Sequence, residues 1–340
     1  MAPLNAAVKV RPIDANAGPK DKDRHNKLYA GNVDPDWTVG SVTNGGYALA
    51  LVLEACMQFQ STTSHVDPIH ITAHFLRATV PSPFTVRVRT VKIGAGFTNL
   101  TADFMQEGMT KIMTHAIFGL NGPSPTDKLN LSLNPPSPYA RRHPLHSHPS
   151  QAPLKPMDPR WRFHEYVKCT EETEIRSRNS PDHPKRTNSS TVGGGGLEWG
   201  SWLELVDKSE RITNPALAFL VDIFSNTPTL LPRSERPGLE ISWFPTMTLS
   251  IEFKNKIPPP SSSHADRTVG IYSSGSFMTP PQGRHDVYVE VWSAPTNIGE
   301  GDPRENWRDD QVCLAVATQM ALALPMEVNE RKGRLSFTKL

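Results

Sequence analysis

The chain has 340 residues, enough for two domains, and a net charge of +2 from 36 basic and 34 acidic side chains. This near balance of charge argues against a broad nucleic-acid-binding surface, so we expect no nucleic-acid partner. No apolar run approaches the roughly 18 residues of a membrane span. The N-terminus lacks the apolar core of a signal peptide, so we predict a cytoplasmic protein without a membrane span.

The metal-binding residue types are sparse and poorly spaced. The three cysteines, Cys56, Cys169 and Cys313, lie far apart and form no CxxC motif, which argues against a disulfide framework or a zinc site. His143, His146 and His148 are close in sequence, but three histidines in a proline-rich stretch are more often solvated than metal-bound. We predict no metal and no cofactor.

In chain order, residues 1–27 are polar and predict a flexible tail. Residues 28–122 predict an N-terminal folded unit, with a helix from Tyr47 to about Phe59 and then three strand-like runs. The run "FTVRVRTVKIG" alternates as a half-buried strand does, with one slip near Thr90. The run "NLTADFMQEGMTKIMTHAIFGL" predicts two long antiparallel strands that turn at "MQEGMTK".

Proline and glycine mark the joints of the remaining chain. Residues 123–159 carry a proline every few positions and predict an extended linker. Residues 160–330 predict a C-terminal folded unit, interrupted near 176–196 by a polar excursion that we expect to be disordered. Residues 331–340 predict a tail.

The C-terminal unit repeats the order of the first, with one apolar helix followed by antiparallel strands. Asn214 and Pro215 suit the start of a helix as N-cap and first helical residue. "ALAFLVDI" aligns without gaps on "ALALVLEA", which places Glu54 on Asp222. "TQM" aligns on "THA", which places His115 on Gln319. An internal duplication explains both alignments, and coincidence between two helices rich in Ala and Leu is the alternative.

A long apolar helix wrapped by a curved antiparallel sheet is an α+β unit. Two such units can pair edge to edge into one continuous sheet, which removes edge strands that would otherwise aggregate. The sequence therefore predicts an α+β fold built from two helix-wrapped units.

Several motifs resemble those of the acyl-CoA thioesterase II family, and most closely its fungal thioesterase-like branch. They are "W…G…NGGY", "HFLRAT" and "GFTNLTADFMQEG" in the first unit, and "NPALAFLVDIF", "WFPTMTLSIEF" and "LAVATQMAL" in the second. The resemblance covers about residues 28–122 and 197–327. It implies a double hotdog, in which two hotdog units pair in one chain.

The resemblance also implies a site, since the family holds a hydrolytic water with an Asp, a Thr and a Gln. Carried over by motif, these fall on Asp222, Thr246 and Gln319. The chain departs from bacterial members at Thr248, where they have Asp, and in the long connection around 193–196. These departures bear on substrate choice more than on chemistry.

The residue types suit that chemistry, although each has a plainer reading. Asp222 lies in the apolar stretch "LAFLVDIFS", where desolvation raises a carboxyl pKa toward the range of a general base; an exposed or loop-capping Asp is the alternative. Thr246 falls by alternation on the polar face with Glu252, so it needs a bulge or a strand end to face the helix side. Gln319 has small neighbours and can orient a water or bond the backbone.

The cluster Asn44-Gly45-Gly46-Tyr47 opens the first helix and predicts a substrate-binding element. The first amides of a helix have no intrahelical partner and are open to a carbonyl oxygen, and glycine lets a thin pantetheine arm pass. Tight helix packing explains the two glycines nearly as well. We add His74, on the following strand, to the substrate-binding residues.

Two functions remain open at this point. The first is hydrolysis of an acyl-CoA or a carrier-bound acyl thioester, and the second is non-hydrolytic binding of an acyl or polyketide ligand as a pathway accessory. A hotdog dehydratase would need a histidine base, for which only His70, His74 and His115 are placed. Glu54 and His115 would form a degenerate second site. Association into homo-oligomers is left open, and Thr338-Lys339-Leu340 approximates the Ser-Lys-Leu peroxisomal signal, so peroxisomal import is an alternative to the cytoplasm.

Overall fold

A computed structural model describes residues 2–13, 25–122, 129, 131–187, 190 and 192–335. The six helices within these ranges are α1 Leu4–Ala7, α2 Gly45–Gln60, α3 Thr173–Ser177, α4 Asn214–Leu220, α5 Thr227–Leu230 and α6 Met326–Leu335. Short 3₁₀ turns cover Arg162–Glu165, Arg233–Glu235 and Trp307–Asp310.

The strands of the N-terminal half are β1 Arg11–Ile13, β2 Asn26–Asn32, β3 Thr38–Val39, β4 Val42–Thr43, β5 Asp67–Phe75, β6 Pro83–Ile93, β7 Thr98–Gln106 and β8 Met109–Gly119. The remaining strands are β9 Leu154–Lys155, β10 Val167–Thr170, β11 Leu197–Leu205, β12 Ser242–Trp243, β13 Thr246–Phe253, β14 Thr268–Gly275, β15 Met278–Thr279, β16 Arg284–Ser293, β17 Cys313–Ala321 and β18 Leu324–Pro325.

One continuous antiparallel sheet joins the two halves. Its path is β1-β2-β6-β7-β8-β5-β13-β17-β16-β14-β11-β10-β9, with β15 paired to β16. The halves meet where β5 pairs with β13, with Ala73 opposite Leu249 and Ile71 opposite Ile251. This confirms the predicted edge-to-edge pairing and the α+β class.

The local details of the strands follow the alternation in the sequence. β7 and β8 form the predicted hairpin, whose turn residues Glu107 and Gly108 have φ of 53° and 71°. Two positive φ values define the type I′ turn that suits twisted hairpins. The register of β6 against β7 shifts between Thr90 and Lys92, where the sequence pattern slips.

Two central helices lie against the inner face of the sheet and against each other. α2 begins at Gly45, two residues before the predicted start at Tyr47, because Asn44 caps it: Asn44 Oδ1 accepts from the Tyr47 amide at 2.9 Å. α4 is capped by Thr213, not by Asn214 as predicted, because the Thr213 hydroxyl accepts from the Ala216 amide at 3.2 Å. α2 is apolar on nearly every side because it packs between the sheet and α4.

The described part of the predicted tail 1–27 belongs to the folded body. Leu4 and Val8 are buried in the main core. The Asn5 amide donates to the Glu210 carboxylate, and the carbonyl of Ala7 accepts from the Tyr47 hydroxyl at 2.8 Å. The apolar positions of "PLNAAVKV" explain this anchoring, which the polar composition of the whole segment concealed.

The predicted linker and excursion also contribute packed residues. His143 is fully buried, not solvated, and stacks on Trp202 with ring centroids 5.0 Å apart. Burial lowers its pKa to about 3, which keeps the ring neutral. Asn179, inside the excursion, exchanges two hydrogen bonds of 2.8 Å with the backbone of Glu198. Both segments cover the outer face of the C-terminal half of the sheet.

The candidate targeting tripeptide 338–340 lies outside the described residues. Among the helices of the described chain, none has the length and apolar character needed to cross a membrane.

Gly46 marks the point where α2 and α4 touch, and it yields a stability prediction. A Cβ there would lie 2.6 Å from Asp222 Cβ and 2.7 Å from the Ala218 carbonyl oxygen. We expect Gly46→Ala to lower the free energy of unfolding by about 1–3 kcal/mol, because the helices must separate. Urea unfolding measures this. Gly96→Ala, with no atom within 4 Å of its added Cβ, is the control and should change little. Equal stability of the two variants would contradict the close approach.

Candidate active site

A carboxylic acid, a hydroxyl and an amide meet beside the start of α2. Asp222 follows α4, which ends at Leu220, so it stands just past the helix and not within it as the sequence suggested. Thr246 opens β13, and Gln319 lies near the end of β17. Residues far apart in the chain are thus brought together at the junction of the two halves.

Direct hydrogen bonds connect the three side chains. Gln319 Nε2 donates to Asp222 Oδ1 at 2.9 Å and also contacts Thr246 Oγ1. Thr246 Oγ1 donates to the same carboxylate oxygen at 3.4 Å. Because an ionised carboxylate can only accept, Gln319 must present its NH₂ group to Asp222, which fixes the orientation of the amide.

A β-bulge turns Thr246 toward the helix side of the sheet. Thr246 pairs with Ala321 and Thr248 with Met320, so Met247 is an extra residue in β13. The two residues on one strand opposite a shorter partner segment shift the alternation by one position. Without this bulge, the alternation of β13 would leave Thr246 on the polar face with Glu252.

The two glycines at the start of α2 have different roles. The Gly46 amide donates to Asp222 Oδ2 at 2.7 Å. The prediction that this amide is open to a substrate was therefore wrong. Gly45 lines a cavity, and within the described residues its N–H has no hydrogen-bond partner. The cavity thus has a helix N-terminal amide beside the acid.

Burial raises the pKa of Asp222 to about 6. Desolvation is the largest cause, and the hydrogen bonds from Gly46, Gln319 and Thr246 act in the opposite direction by stabilising the charged form. The side chain remains partly accessible from the cavity although protein surrounds most of it. Asp222 is therefore mostly ionised at pH 7 and half protonated at about pH 6.

The cavity next to Asp222 has a volume of about 1550 Å³. Asn44, Gly45, Thr246 and Gln319 share its wall with the acid. Much of the remaining wall is apolar and includes Val42, Phe75, Trp199, Leu203, Ile223 and Phe224. Such a wall suits an aliphatic or aromatic chain whose reactive end reaches the polar cluster.

Helix α6 forms part of this wall, although the sequence pattern predicted a tail from residue 331. Met326, Val328 and Lys332 line the cavity. Asn329 is fully buried, donates to the Val39 carbonyl and accepts from the Ser41 amide, each at 2.9 Å. α6 is thereby fastened to the segment just before α2. The helix-forming run "MEVNERK" after Pro325 is the signal that could have revealed it.

Two predicted substrate-binding residues lie away from the cavity. Tyr47 is fully buried and stacks on Trp37. Its hydroxyl donates to the Ala7 carbonyl and accepts from the Asp34 amide, so both of its polar roles are filled within the protein. His74 is exposed on the outer face of the sheet, since Ala73 and Phe75 on either side of it face inward. Neither residue lines the cavity, because Tyr47 lies on a side of α2 that faces the core and His74 on the side of β5 that faces outward.

The proposed degenerate partner site does not assemble either. Glu54 lies within α2 and accepts from Gln58 Nε2 at 2.8 Å. His115 is exposed on the outer face, because its neighbour Thr114 takes the inward position on β8. His70 bonds Ser250 at 2.9 Å, also away from the cavity, so the histidines considered as a dehydratase base are not part of its wall.

Comparisons with known proteins agree on one family. The sequence-family model of the acyl-CoA thioesterase N-terminal domain matches residues 33–119. The sequence-family model of the acyl-CoA thioesterase C-terminal domain matches residues 149–297. No curated protein matches the sequence.

Several solved structures share the fold at low identity. One, described as a thioesterase II from Thermobifida fusca, is 17% identical with a TM-score of 0.61 over 95% of this chain and 97% of its own. A protein with a hot dog fold from Alicyclobacillus acidocaldarius gives 17% and 0.60 over 95% and 98%. Acyl-CoA thioesterase II from Mycobacterium marinum gives 12% and 0.55 over 95% and 97%. The fold is the double hotdog that the resemblance implied.

Gly45 yields a prediction that separates the site from the helix contact. A Cβ at Gly45 would lie 3.1 Å from Asp222 Oδ2 and 3.4 Å from Thr246 Oγ1. We expect Gly45→Ala to fold with nearly unchanged stability but to lose about tenfold or more in kcat/KM for a thioester substrate, because the methyl group crowds the acid and the free amide. Steady-state thiol release and thermal unfolding measure the two effects. Gly45→Ala with full activity would show that no reacting group comes near this amide.

Proposed function

The chain belongs to the acyl-CoA thioesterase family and is a thioester hydrolase, and we propose that Asp222, Thr246 and Gln319 hold the water that attacks an acyl-CoA. The single observation that carries this proposal is the hydrogen-bonded cluster of these three side chains beside a free helix N-terminal amide in a large cavity.

The cluster supports the attack on the thioester as follows. Asp222 takes a proton from the water as its oxygen bonds to the carbonyl carbon. The Thr246 hydroxyl and the Gln319 amide orient that water against the carboxylate. When the carbon–sulfur bond breaks, the proton on Asp222 passes to the leaving thiolate, which restores the carboxylate. The products are a free acid and coenzyme A.

The Gly45 N–H supplies the complementary stabilisation. Its position at the positive end of α2 favours the negative charge that develops on the carbonyl oxygen. Asp222 accepts from the amide of Gly46 at 2.7 Å, and Gly45 is the residue before Gly46, so the proposed base and the proposed oxyanion donor are at the same end of α2.

The apolar wall supports an acyl chain as the other part of the substrate. Trp199, Leu203 and Phe224 are buried residues of that wall, and burying a chain methylene there contributes about 0.8 kcal/mol. A non-hydrolytic accessory protein would use the same wall without turnover. Saturable binding across a panel of short, medium, long and aromatic acyl-CoAs without thiol release would support that alternative.

Removing the charge of Asp222 tests the base. We expect Asp222→Asn to lower kcat by about 10²–10⁴-fold, because an amide cannot accept the proton of the water. Thiol release from an acyl-CoA measures the rate, and circular dichroism monitors folding. Asp182→Asn, the same change at an exposed position, is the control and should keep the wild-type rate. A full-rate Asp222→Asn enzyme would remove this residue from the mechanism.

The pH profile tests the same residue in the unmodified protein. A base must be ionised to act, so kcat/KM should fall about tenfold per pH unit below about 6 and level off above it. Gln319→Leu should move this limb to higher pH, because Gln319 lowers the pKa of Asp222 by donating to its charged form. A limb that does not move would mean that another group controls it.

A further inference from the structure

We propose that the turn containing Arg233 and Arg236 binds the phosphates of the coenzyme A nucleotide, an inference that rests on the function proposed above. The 3₁₀ turn Arg233–Glu235 lies between α5 and β12, and both arginines line the cavity that contains Asp222. Arg233 is exposed, so this part of the wall lies where the cavity opens to solvent.

The cavity wall has an excess of positive charge. Its cationic residues are Arg77, Lys155, Arg160, Arg233, Arg236 and Lys332, and its acidic residues are Asp158, Asp222 and Glu240. Six cations against three acids is a local excess in a chain whose net charge is only +2. A solvent-open cavity with this balance attracts an anionic ligand.

Ion pairs within the protein account for only part of this charge. Arg160 pairs with Asp158, and Lys155 pairs with Glu171 at 2.9 Å. Within the described residues, Arg233, Arg236 and Lys332 form no ion pair. Their charge is therefore available to a ligand.

Arg236 gives the more specific indication. Its Nε is buried and has no hydrogen-bond acceptor among the described residues. A buried donor without an acceptor costs free energy, and a phosphate oxygen is a strong acceptor for the planar guanidinium fork. The Arg236 amide donates to the Arg233 carbonyl at 3.4 Å across the 3₁₀ turn, and both arginines line the same cavity, so their guanidinium groups are close enough in the chain to hold one diphosphate together.

The chain beyond this turn leads directly to the reacting groups. Every residue from Arg236 to Met247 lines the cavity, and Thr246 belongs to this stretch. A ligand with its phosphates at Arg233 and Arg236 can therefore extend along one continuous wall to Asp222. Gly238, with φ of 76° and no atom within 4 Å of an added Cβ, leaves that wall open.

The number of cations favours coenzyme A over a carrier protein. A carrier presents its acyl group on phosphopantetheine, which contains a single phosphodiester. Coenzyme A contains a diphosphate and a 3′-phosphate, and so better matches a cavity wall that holds Arg233, Arg236 and Lys332 without ion-pair partners among the described residues. Both sources share the phosphopantetheine chemistry, so the experiment must compare them.

The test compares substrates that differ only beyond the pantetheine arm. kcat/KM is measured for an acyl-CoA, the same acyl group on a carrier protein, and its N-acetylcysteamine thioester, which has no phosphate. In the double variant Arg233→Gln/Arg236→Gln, the ratio of kcat/KM for acyl-CoA to that for the N-acetylcysteamine thioester should fall about tenfold or more. Arg331→Gln, on α6 but outside the cavity wall, should leave the ratio within about twofold.

Two measurements on the wild-type protein hold even if the double variant folds poorly. In the wild-type protein, added salt should lower the same ratio, since screening weakens phosphate contacts and spares the neutral thioester. Calorimetry should detect binding of adenosine 3′,5′-bisphosphate to the wild type and about tenfold weaker binding to the double variant. An unchanged substrate ratio, no nucleotide binding, or a larger loss with the carrier substrate would each overturn the proposal. Failure to hydrolyse any of the three thioesters would refute the proposed function, while nucleotide binding would still test the phosphate site.

Discussion

The carboxylate of Asp222 bonded to the amide of Gly46 is the contact around which the two halves are organised. One oxygen of the acid satisfies an amide at the start of α2, while the residue itself stands at the end of α4. The close approach needs glycine at position 46, because any side chain would strike the carbonyl oxygens of α4. The helix dipole and the donated hydrogen bonds partly offset the cost of burying the charge, which leaves the pKa near 6. The contact that packs the halves also tunes the acid.

Regular elements were predictable because their periodicity reports directly on packing. The strand slip near Thr90 and the bulge that Thr246 requires both appear in the sheet, and the continuous sheet follows from two helix-wrapped units. The association of Asp222, Thr246 and Gln319 came from a family resemblance, since no spacing in the sequence brings residues so far apart together. The roles predicted for His74 and His115 were wrong because each side chain lies on the outer face of the sheet. In both strands the inward-facing position is one residue away, so a shift of one residue is enough to cause the error.

The parts that sequence patterns could not place are the segments in which apolar and polar residues do not recur at regular intervals. His143 becomes a core residue only because Trp202, Trp292 and Trp307 surround it, and a proline-rich segment carries no period that reports this. The segment from Arg236 to Phe244 lines the cavity, and its regular structure is limited to the two-residue strand β12. Asp222, Thr246 and Gln319 lie on or beside helices and strands, whereas much of the remaining cavity wall lies on loops, where variation is tolerated.

The order in which the parts of the site appear along the polypeptide has a consequence for biosynthesis. Asn44 and Gly45 leave the ribosome early, Asp222 much later, and Gln319 only after almost the whole sheet has been translated. Strand β17, which carries Gln319, lies between β13 and β16 and completes the sheet, and Asn329 fastens α6 across the opening segment afterwards. A polypeptide that ends before β17 therefore lacks both Gln319 and the strand to which β13 and β16 each pair, so the cluster around Asp222 forms only when translation is nearly complete.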